Sequence, residues 1–495
     1  MSRINTNIQA LVATRLFNRN TGDLNRSLTR LSTGLRINSG RDDPAGLIAS
    51  ETLRSQKVAL TAATENARRA DTIMAIAEGG LQEVNALLLD LEDLVDRTAN
   101  EAGLTSAEVA ANQLQIDSIL QSINRLANTT AFGDKHLLDG TLDFSTSATA
   151  ASSFSTNVAS IQVNGARIAD NSFRNVVIEV VTGSDFAFVS AYGDESAGTT
   201  IATGALSAAV TIQVAGNFGV ETFSFASGAT QSDMVTAING SSGLTGVSAI
   251  LSNNTGGINA VIFSSTTFGS KGFVSVDVIS NSGGNVGLNL GSGATKVRDT
   301  GVDGSVVING QAAKVDGLDV SVRTGALDVE LVLAQTFGTT DNGSTEVAIT
   351  GGGAKFAISP DVGIVGQATV GVKAVAIGSL GTAATGFLAS LGMGETNDLS
   401  SGNFADAQRI VRAAISQIST LRGRIGAFQR NTIDSAINSM QVAFENTAAA
   451  ESAIRDADFA VEVSSLTRAQ ILVSSSISTL QLANAGPQNV LSLLG

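Results

Sequence analysis

Acidic side chains are the residues of this sequence whose types and spacing could support chemistry. Asp42 and Asp43 are adjacent, as paired carboxylates for acid–base work would be. Pro44 follows Asp43, however, and an acidic residue before a proline is typical of the cap at the start of a helix. The sequence therefore favours a structural role for this pair, and we predict no catalytic residue.

A second set of carboxylates, in the middle of the chain, raises the question of a metal site. They alternate with apolar residues, which places them on one solvated face of a sheet, and a calcium loop of the form Asp-x-Asp-x-Asp-Gly is missing. His136 is the single histidine and there is no cysteine, so the sequence lacks the residues that a zinc site or a catalytic triad requires. We predict no metal and no cofactor, and a carboxylate-based hydrolase in the middle region is the enzymatic alternative. The carboxylates concerned are Asp277, Asp319, Asp328 and Glu330.

The net charge of -14 bears on the classes of partner. An acidic chain without a basic block is unsuited to phosphate backbones and to anionic membranes. No segment approaches the roughly 20 apolar residues of a membrane-spanning helix, and the first residues lack the pattern of a cleavable signal peptide. We expect no nucleic-acid partner, no membrane partner and, if the protein is secreted, export by another route.

Large apolar residues recur at both ends of the chain in alternating steps of three and four, the spacing of a coiled-coil seam. Forty helical residues would span roughly 60 Å, too long and thin to form a core alone, so each seam needs the other end or another copy. We expect these ends to fold on assembly, because isolated helices offset too little of the ~1–2 kcal/mol of backbone entropy lost per residue. The predicted assembly residues are Ile4, Ile8, Leu11, Leu24, Leu28, Leu31, Leu35, Val463, Leu466, Val473, Ile477 and Leu480.

The rest of the helical pattern also lies towards the two ends. A long helix is predicted to open at Pro44 and to carry an apolar seam from Ala77 to Val95, and Thr105 and Glu108 have capping-box spacing before another helix. Near the end, apolar residues from Ile418 to Phe444 predict one long amphipathic helix. Front and end must therefore pack together as helices.

The middle of the chain has the pattern of a sheet. It holds most of the 52 glycines, and period-two runs such as Phe273-Val-Ser-Val-Asp-Val alternate with Gly and Asn turns. One short helix is predicted from Thr230 to Asn239. We predict a multidomain α+β fold in which terminal coiled-coil helices and a helical rod, built from paired front and end regions, carry an inserted, mainly β outer domain.

Several ordered motifs at both ends resemble those of the bacterial flagellins. The resemblance extends over roughly the first 140 and the last 140 residues, and 214–278 is similar to the short flagellin hook module. The motifs are Ile4-Asn-Thr-Asn-Ile, Leu31-Ser-Thr-Gly-Leu-Arg-Ile-Asn-Ser, Asp42-Asp-Pro-Ala-Gly, Ala449-Ala-Glu-Ser and Ile454-Arg-Asp-Ala-Asp-Phe.

The resemblance implies five segments. Residues 1–43 and 453–495 would form the inner coiled-coil layer, residues 44–144 and 354–452 the helical rod domain, and residues 145–353 the outer β-rich domain, with the hook-type module around 208–280. We expect the segment boundaries to be accurate to a few residues.

The resemblance also implies a function. The chain would be a secreted, extracellular structural subunit that self-assembles into the flagellar filament used for swimming, and it would not be an enzyme. Its partners would be copies of itself, a flagellar export chaperone at the C-terminal helix, the export gate, the filament cap and the hook–filament junction proteins. The alternative is a hook–filament junction protein, which shares the terminal helices.

One difference from the family concerns an immune receptor. Flagellins that the vertebrate innate-immune receptor senses carry arginines on the helix that corresponds to 81–95. The resemblance aligns two of those positions with Asp90 and Glu92, which reverse the charge. Because a reversed charge at a contact lowers affinity, we predict weak or absent recognition by that receptor.

Overall fold

The computed structural model describes residues 7–100, 103–148, 154–169, 172–192, 208–253, 259–281, 295–382 and 385–492, together with residues 206 and 290. Its helices are α1 Ile8–Thr33, α2 Pro44–Thr98, α3 Ser106–Thr129, α4 Phe154–Asn157, α5 Gln231–Gly240, α6 Ser242–Thr245, α7 Gln335–Gly338, α8 Phe404–Phe428, α9 Ser435–Arg455 and α10 Phe459–Ser492. Short 3-10 turns occupy Ile364–Gly366, Leu388–Leu391 and Leu399–Ser401, and a π-helical segment occupies Gln429–Asp434.

The strands fall between α3 and α8. They are β1 Ala131–Phe132, β2 Lys135–His136, β3 Phe144–Ala148, β4 Val158–Ala166, β5 Arg174–Thr182, β6 Phe186–Tyr192, β7 Val210–Ala215, β8 Val220–Phe225, β9 Val247–Asn253, β10 Asn259–Phe268, β11 Phe273–Asn281, β12 Lys296–Thr300, β13 Ser305–Ile308, β14 Gln311–Ala312, β15 Lys314–Asp316, β16 Asp319–Arg323, β17 Leu327–Leu333, β18 Gly343–Gly352, β19 Ala354–Ala357, β20 Gln367–Val370, β21 Gly381–Thr382 and β22 Gly386–Phe387. Helical ends and a β-rich middle were both predicted, and both predictions are confirmed.

The described residues fall into two compact units. The terminal unit comprises those within 1–74, 356–367 and 426–495, and the central unit comprises those within 75–355 and 368–425. The described part of the terminal unit consists mainly of helices, and the sheets of three or more strands lie in the central unit. Residues from both ends of the sequence therefore meet in the terminal unit.

Helix α2 begins where the acidic pair predicts. The carboxylate of Asp43 accepts the backbone N–H of Gly46 at 2.9 Å, as an N-cap does. Asp42 accepts backbone N–H groups of Asn38 and Ser39 instead. Hydrogen bonds from the hydroxyl and the backbone N–H of Ser39 hold the pKa of Asp42 below its usual value. Both carboxylates thus order the turn before the helix.

The buried face of α2 follows a heptad pattern along most of its length. The predicted seam residues between Ala77 and Val95 are all fully buried, and the same alternation of three and four continues back to Leu60. The buried positions are Leu60, Ala63, Ala67, Ala70, Met74, Ala77, Leu81, Val84, Leu88, Leu91 and Val95. The seam prediction for this helix is confirmed and its extent was underestimated.

The long helix predicted from Ile418 to Phe444 is interrupted. Helix α8 ends at Phe428, the π-helical segment follows, and α9 begins at Ser435. Within the interruption, the side-chain amide of Gln429 donates to the Asp71 carboxylate at 2.9 Å. Apolar spacing did not predict the break, because a π-helical turn adds one residue without removing the apolar face.

Two hydrophobic cores organise the sheets of the central unit, and the registered strand pairs are antiparallel. Sheets β14-β13-β5-β18-β3 and β15-β16-β17-β4 share one core, which includes Ile178, Val329 and Ile349. Sheets β6-β10-β9 and β12-β11-β7-β8 share the other core with α5, whose Met234 and Ile238 are fully buried. A capping box of Thr230 and Asp233 starts α5, which confirms the predicted short helix.

Candidate assembly surface of the terminal helices

Helices α1 and α10 form an antiparallel pair. The Asn7 side-chain amide donates to the Ala483 carbonyl at 2.8 Å, at the start of α1, and Arg30 Nη1 lies 3.8 Å from Glu462 Oε2 near its end. Beyond α1, Leu35 forms an isolated antiparallel bridge with Asp456. Contacts that advance along α1 therefore move backwards along α10.

Small and polar residues occupy the line where the two helices touch. On α10, the buried positions Glu462, Ala469 and Ser476 are spaced by seven residues. On α1, the buried Ala13 and Ser27 are fourteen residues apart, with the half-buried Asn20 midway between them. Small side chains at heptad positions allow a close approach of the two helices but bury little apolar surface.

The large apolar residues predicted as the seam do not occupy that line. Leu24, Leu31, Leu35, Leu466, Val473 and Leu480 are half-buried, and Ile8, Leu11, Leu28, Val463 and Ile477 are exposed. Ile4 lies outside the described residues. We call the exposed large apolar residues of the pair the outer apolar set, which is Ile8, Leu11, Val12, Leu16, Leu28, Phe459, Val461, Val463, Ile471, Leu472, Ile477 and Leu482.

The degree of exposure is large for side chains of this size. Leu11 is 64% exposed, Ile471 63% and Leu482 76%. Monomeric soluble proteins rarely expose apolar surface on this scale without an interaction that covers it. Sequence reasoning missed seven members of the outer apolar set, because they fall outside the single seam that was traced on each helix.

Hydrogen bonds and an ion pair connect the α1–α10 pair to the remainder of the terminal unit. Gly34, at a φ of 71°, ends α1 by donating to the Arg30 carbonyl. The Arg36 guanidinium binds the Ile454 carbonyl at 2.6 Å, and Arg455 Nη1 binds Glu51 Oε1 at 2.9 Å. Backbone and charged contacts thus tie the end of α9 to the segment that follows α1.

The two positions predicted to reverse charge at a receptor contact lie on α2 and differ in their surroundings. Asp90 is exposed, whereas Glu92 is half-buried. Glu92 Oε1 accepts from Arg412 Nε on α8 at 2.7 Å. The carboxylate of Glu92 therefore has an intramolecular partner, and Asp90 faces solvent.

The described residues give little evidence for a metal site or for a membrane-spanning helix. No group of three or more His, Asp or Glu residues in the described ranges is placed to hold a metal ion. His136 is exposed on β2. The part of the chain that the structure describes contains no helix long and apolar enough to cross a membrane.

A cavity of about 470 Å³ lies between the sheet β15-β16-β17-β4 and α8. Glu330, on its wall, lies 3.3 Å from Arg424 and 4.0 Å from Arg323, and Asp316 is paired with Lys271. Burial lowers the pKa of Arg424, and the charge of Glu330 opposes that shift. Glu330 and Asp316 are therefore engaged in ion pairs, whereas burial raises the pKa of Asp319, which also lines the cavity.

Both ends of the chain match known protein families. Residues 4–143 match the family described as the bacterial flagellin N-terminal helical region, and residues 409–494 match the bacterial flagellin C-terminal helical region. A flagellin of Salmonella rubislaw is 29% identical over 519 residues, and a B-type flagellin of Pseudomonas aeruginosa is 29% identical over 514 residues. Each alignment covers 99% of this chain and 99% of that protein.

The chain also matches solved structures at low similarity. The FliC structure from Burkholderia pseudomallei is 13% identical, with 73% of this chain and 98% of that chain covered, at a TM-score of 0.23. A score of that size supports no structural argument. The helical-region matches and the full-length relatives rest on sequence. On that basis the chain belongs to the bacterial flagellin family, the structural subunits of the extracellular flagellar filament.

Proposed function

We propose that this chain polymerises through the outer apolar set of its terminal helix pair. The proposal rests on the different positions of small and large side chains in the helix pair. Small side chains are buried between α1 and α10, while Leu11, Ile471 and Leu482 remain exposed. Each such side chain moved from water into a filament core would contribute roughly 1.5–3 kcal/mol. Copies of the same chain are the partners that would cover these exposed side chains.

Folding of the terminal helices on assembly is part of the same proposal. Contacts through Ala13, Ser27, Ala469 and Ser476 bury little apolar area, whereas ordering each residue costs ~1–2 kcal/mol of backbone entropy. The contacts between α1 and α10 alone therefore offset little of this entropy cost. Burial of the outer apolar set by neighbouring copies would supply the additional stabilising free energy. Polymerisation and terminal folding would be one event.

Electron microscopy of the purified chain tests this function. We expect long filaments, which would distinguish a filament subunit from a hook–filament junction protein that assembles in one short ring. The measurement is filament length after seeded growth, with mass in the pellet quantified by sedimentation. Short rings that never elongate would favour the junction protein.

The segment assignment extends the proposal. We propose that 1–43 and 453–495 form the inner layer, 44–144 and 354–452 the rod, and 145–353 the outer domain. Supporting observations are the end of α1 at Thr33 and the bridge between Leu35 and Asp456, which mark a change of structure close to both inner boundaries.

Further partners are also proposed. An export chaperone would mask the exposed Phe459, Val461 and Ile471 of α10 before assembly, since these side chains are an aggregation hazard in the free chain. The export gate, the filament cap and the hook–filament junction proteins complete the set. We propose no enzymatic activity, and the ion pairs of Glu330 and Asp316 on the cavity wall support that proposal.

Recognition by the innate-immune receptor is predicted to be weak. Exposed Asp90 would oppose a receptor surface that suits arginine, and Glu92 is already bound to Arg412. In a receptor-reporter assay with purified monomer, we expect the Asp90→Arg variant to raise the response and Asp93→Arg, at an exposed neighbour, to raise it less. Full activation by the unsubstituted chain would contradict the prediction.

A further inference from the structure

We propose that a contact between two turns, centred on Asp303, couples the two β cores of the central unit so that they unfold as one cooperative unit. Strands β6 to β12, which build one core, lie in the sequence between β5 and β13, which belong to the other. We call the described residues within 186–300 the inserted module, and strands β3 to β5 and β13 to β18 the host module. Two short connections, 183–185 and 301–304, join the modules.

The two connections run side by side and are anchored to the host module. Asp185 and Val302 exchange backbone hydrogen bonds of 2.9 and 3.1 Å. The buried Ser184 hydroxyl accepts the Gly304 N–H at 2.9 Å and donates to the Gly317 carbonyl of the host module. For modules joined by short connections, relative motion is the default unless a further interface holds them. The structure shows such an interface beside the connections.

Asp303, on the second connection, accepts hydrogen bonds from a turn of each module. Its Oδ1 accepts the backbone N–H of Ser270 at 3.0 Å and that of Gly317 at 2.8 Å, and its Oδ2 accepts the Ser270 hydroxyl at 2.5 Å. Ser270 lies in the turn between β10 and β11 of the inserted module, and Gly317 in the turn between β15 and β16 of the host module. The hydrogen bond from the Ser270 side chain holds the pKa of Asp303 below its usual value, so the carboxylate is ionised at neutral pH. Hydrogen bonds to an ionised acceptor are stronger than neutral ones.

The same two turns pack backbone against backbone. Gly269 and Gly317 are buried, at φ of 79° and 65°. A Cβ atom on Gly317 would lie 2.6 Å from the Phe268 carbonyl oxygen, and one on Gly269 would lie 2.5 Å from the Gly317 Cα. Any other residue would push the turns apart, because only glycine allows such a close approach. We call Asp303 with the turns 269–272 and 317–318 the turn clamp.

Other contacts at this interface act in the same direction. Lys271 of the inserted module forms an ion pair with Asp316 of the host module, but its side chain is 70% exposed and exposed pairs contribute little. The Gly301 N–H donates to the Gly272 carbonyl at 2.9 Å, which holds the turn of the inserted module against a connection. Because the Asp303 carboxylate accepts from both turns directly, its removal should weaken the turn clamp more than loss of the ion pair.

Pulsed hydrogen exchange of the dilute full chain across a urea series tests the inference, and it requires no filaments. Mass spectrometry of peptides from β5 and β18 reports on the host module, and peptides from β7 and β11 report on the inserted module. In the native chain we expect the two unfolding midpoints to agree within about 0.2 M urea, as one cooperative transition requires. In Asp303→Ala we expect them to separate by about 1 M, and by more when Lys271→Ala is added.

Two matched controls distinguish loss of coupling from loss of stability. The Asp299 carboxylate accepts the Phe188 N–H at 2.9 Å, and both residues lie in the inserted module. Asp299→Ala should therefore lower both midpoints together. Gly317→Ala should separate the midpoints, whereas Gly310→Ala, at a φ of 77° with open space around the added Cβ, should leave them together.

A shared transition in Asp303→Ala would overturn the inference, as would two separate transitions in the native chain or a separation in Asp299→Ala equal to that in Asp303→Ala. If Asp303→Ala shows no protection in either module without urea, Asp303→Asn takes its place. Asparagine keeps the size and one acceptor oxygen, so we expect a smaller separation in that variant, and a shared transition there would count against the inference.

Discussion

Deletion of residues 459–495, which removes α10, is expected to abolish filaments and to leave the central unit folded. Without α10, the small residues Ala13 and Ser27 of α1 lose the surface they pack against, and seven of the twelve residues of the outer apolar set are gone. The two cores of the central unit contain no residue of α10. Sedimentation and electron microscopy would measure assembly.

The control for this deletion is the thermal unfolding of the central unit, followed by circular dichroism in the β region. We expect its midpoint to be the same in the truncated and the full chain. Normal filaments from the truncated chain would show that the terminal pair is not the assembly surface. Loss of the β signal would instead mean that the deletion acts through misfolding.

A single charge in the outer apolar set should also have a large effect. In Ile471→Asp, a side chain that is 63% exposed in the monomer acquires a carboxylate that assembly must bury. The loss of ~1.5–3 kcal/mol of apolar burial alone corresponds to roughly a tenfold to hundredfold change, and burying an unpaired charge adds to it. We expect the critical concentration for polymerisation to rise by at least about a hundredfold.

The matched control is Ser474→Asp, which places the same charge at an exposed polar position of the same helix. Its critical concentration should rise far less, because no large apolar contact is replaced. Critical concentrations would be read from the soluble fraction after seeded growth at fixed ionic strength. Equal effects of the two substitutions would indicate that the added charge alone is responsible.

Much of the fold follows from local patterns in the sequence. The caps at Asp43, Thr105 and Thr230 mark helix starts, because few residue types satisfy the free N–H groups there. The heptad of α2 and the period-two strands are strong signals, since large apolar side chains on one face have to be buried. The π-helical segment leaves no such signal in the apolar pattern.

The candidate site was harder to derive, for a physical reason. Sequence reasoning follows large apolar residues, and at the termini the described residues of this kind are half-buried or exposed instead of fully buried. The contact line is marked by Ala13, Asn20 and Ser27 on α1 and by Glu462, Ala469 and Ser476 on α10, and these small or polar residues give almost no hydrophobic signal. A search for small or polar residues at intervals of seven would have located it.

The antiparallel pairing of α1 with α10 also constrains when the chain can mature. Asn7 and Ala483 touch although 476 positions separate them, so this contact closes a very long loop of the polypeptide. Closing a long loop costs entropy and takes time, and α10 is synthesised after the whole of the central unit. The helix pair can therefore form only after α10 has been synthesised, because α1 and α10 stand on opposite sides of the central unit in the sequence.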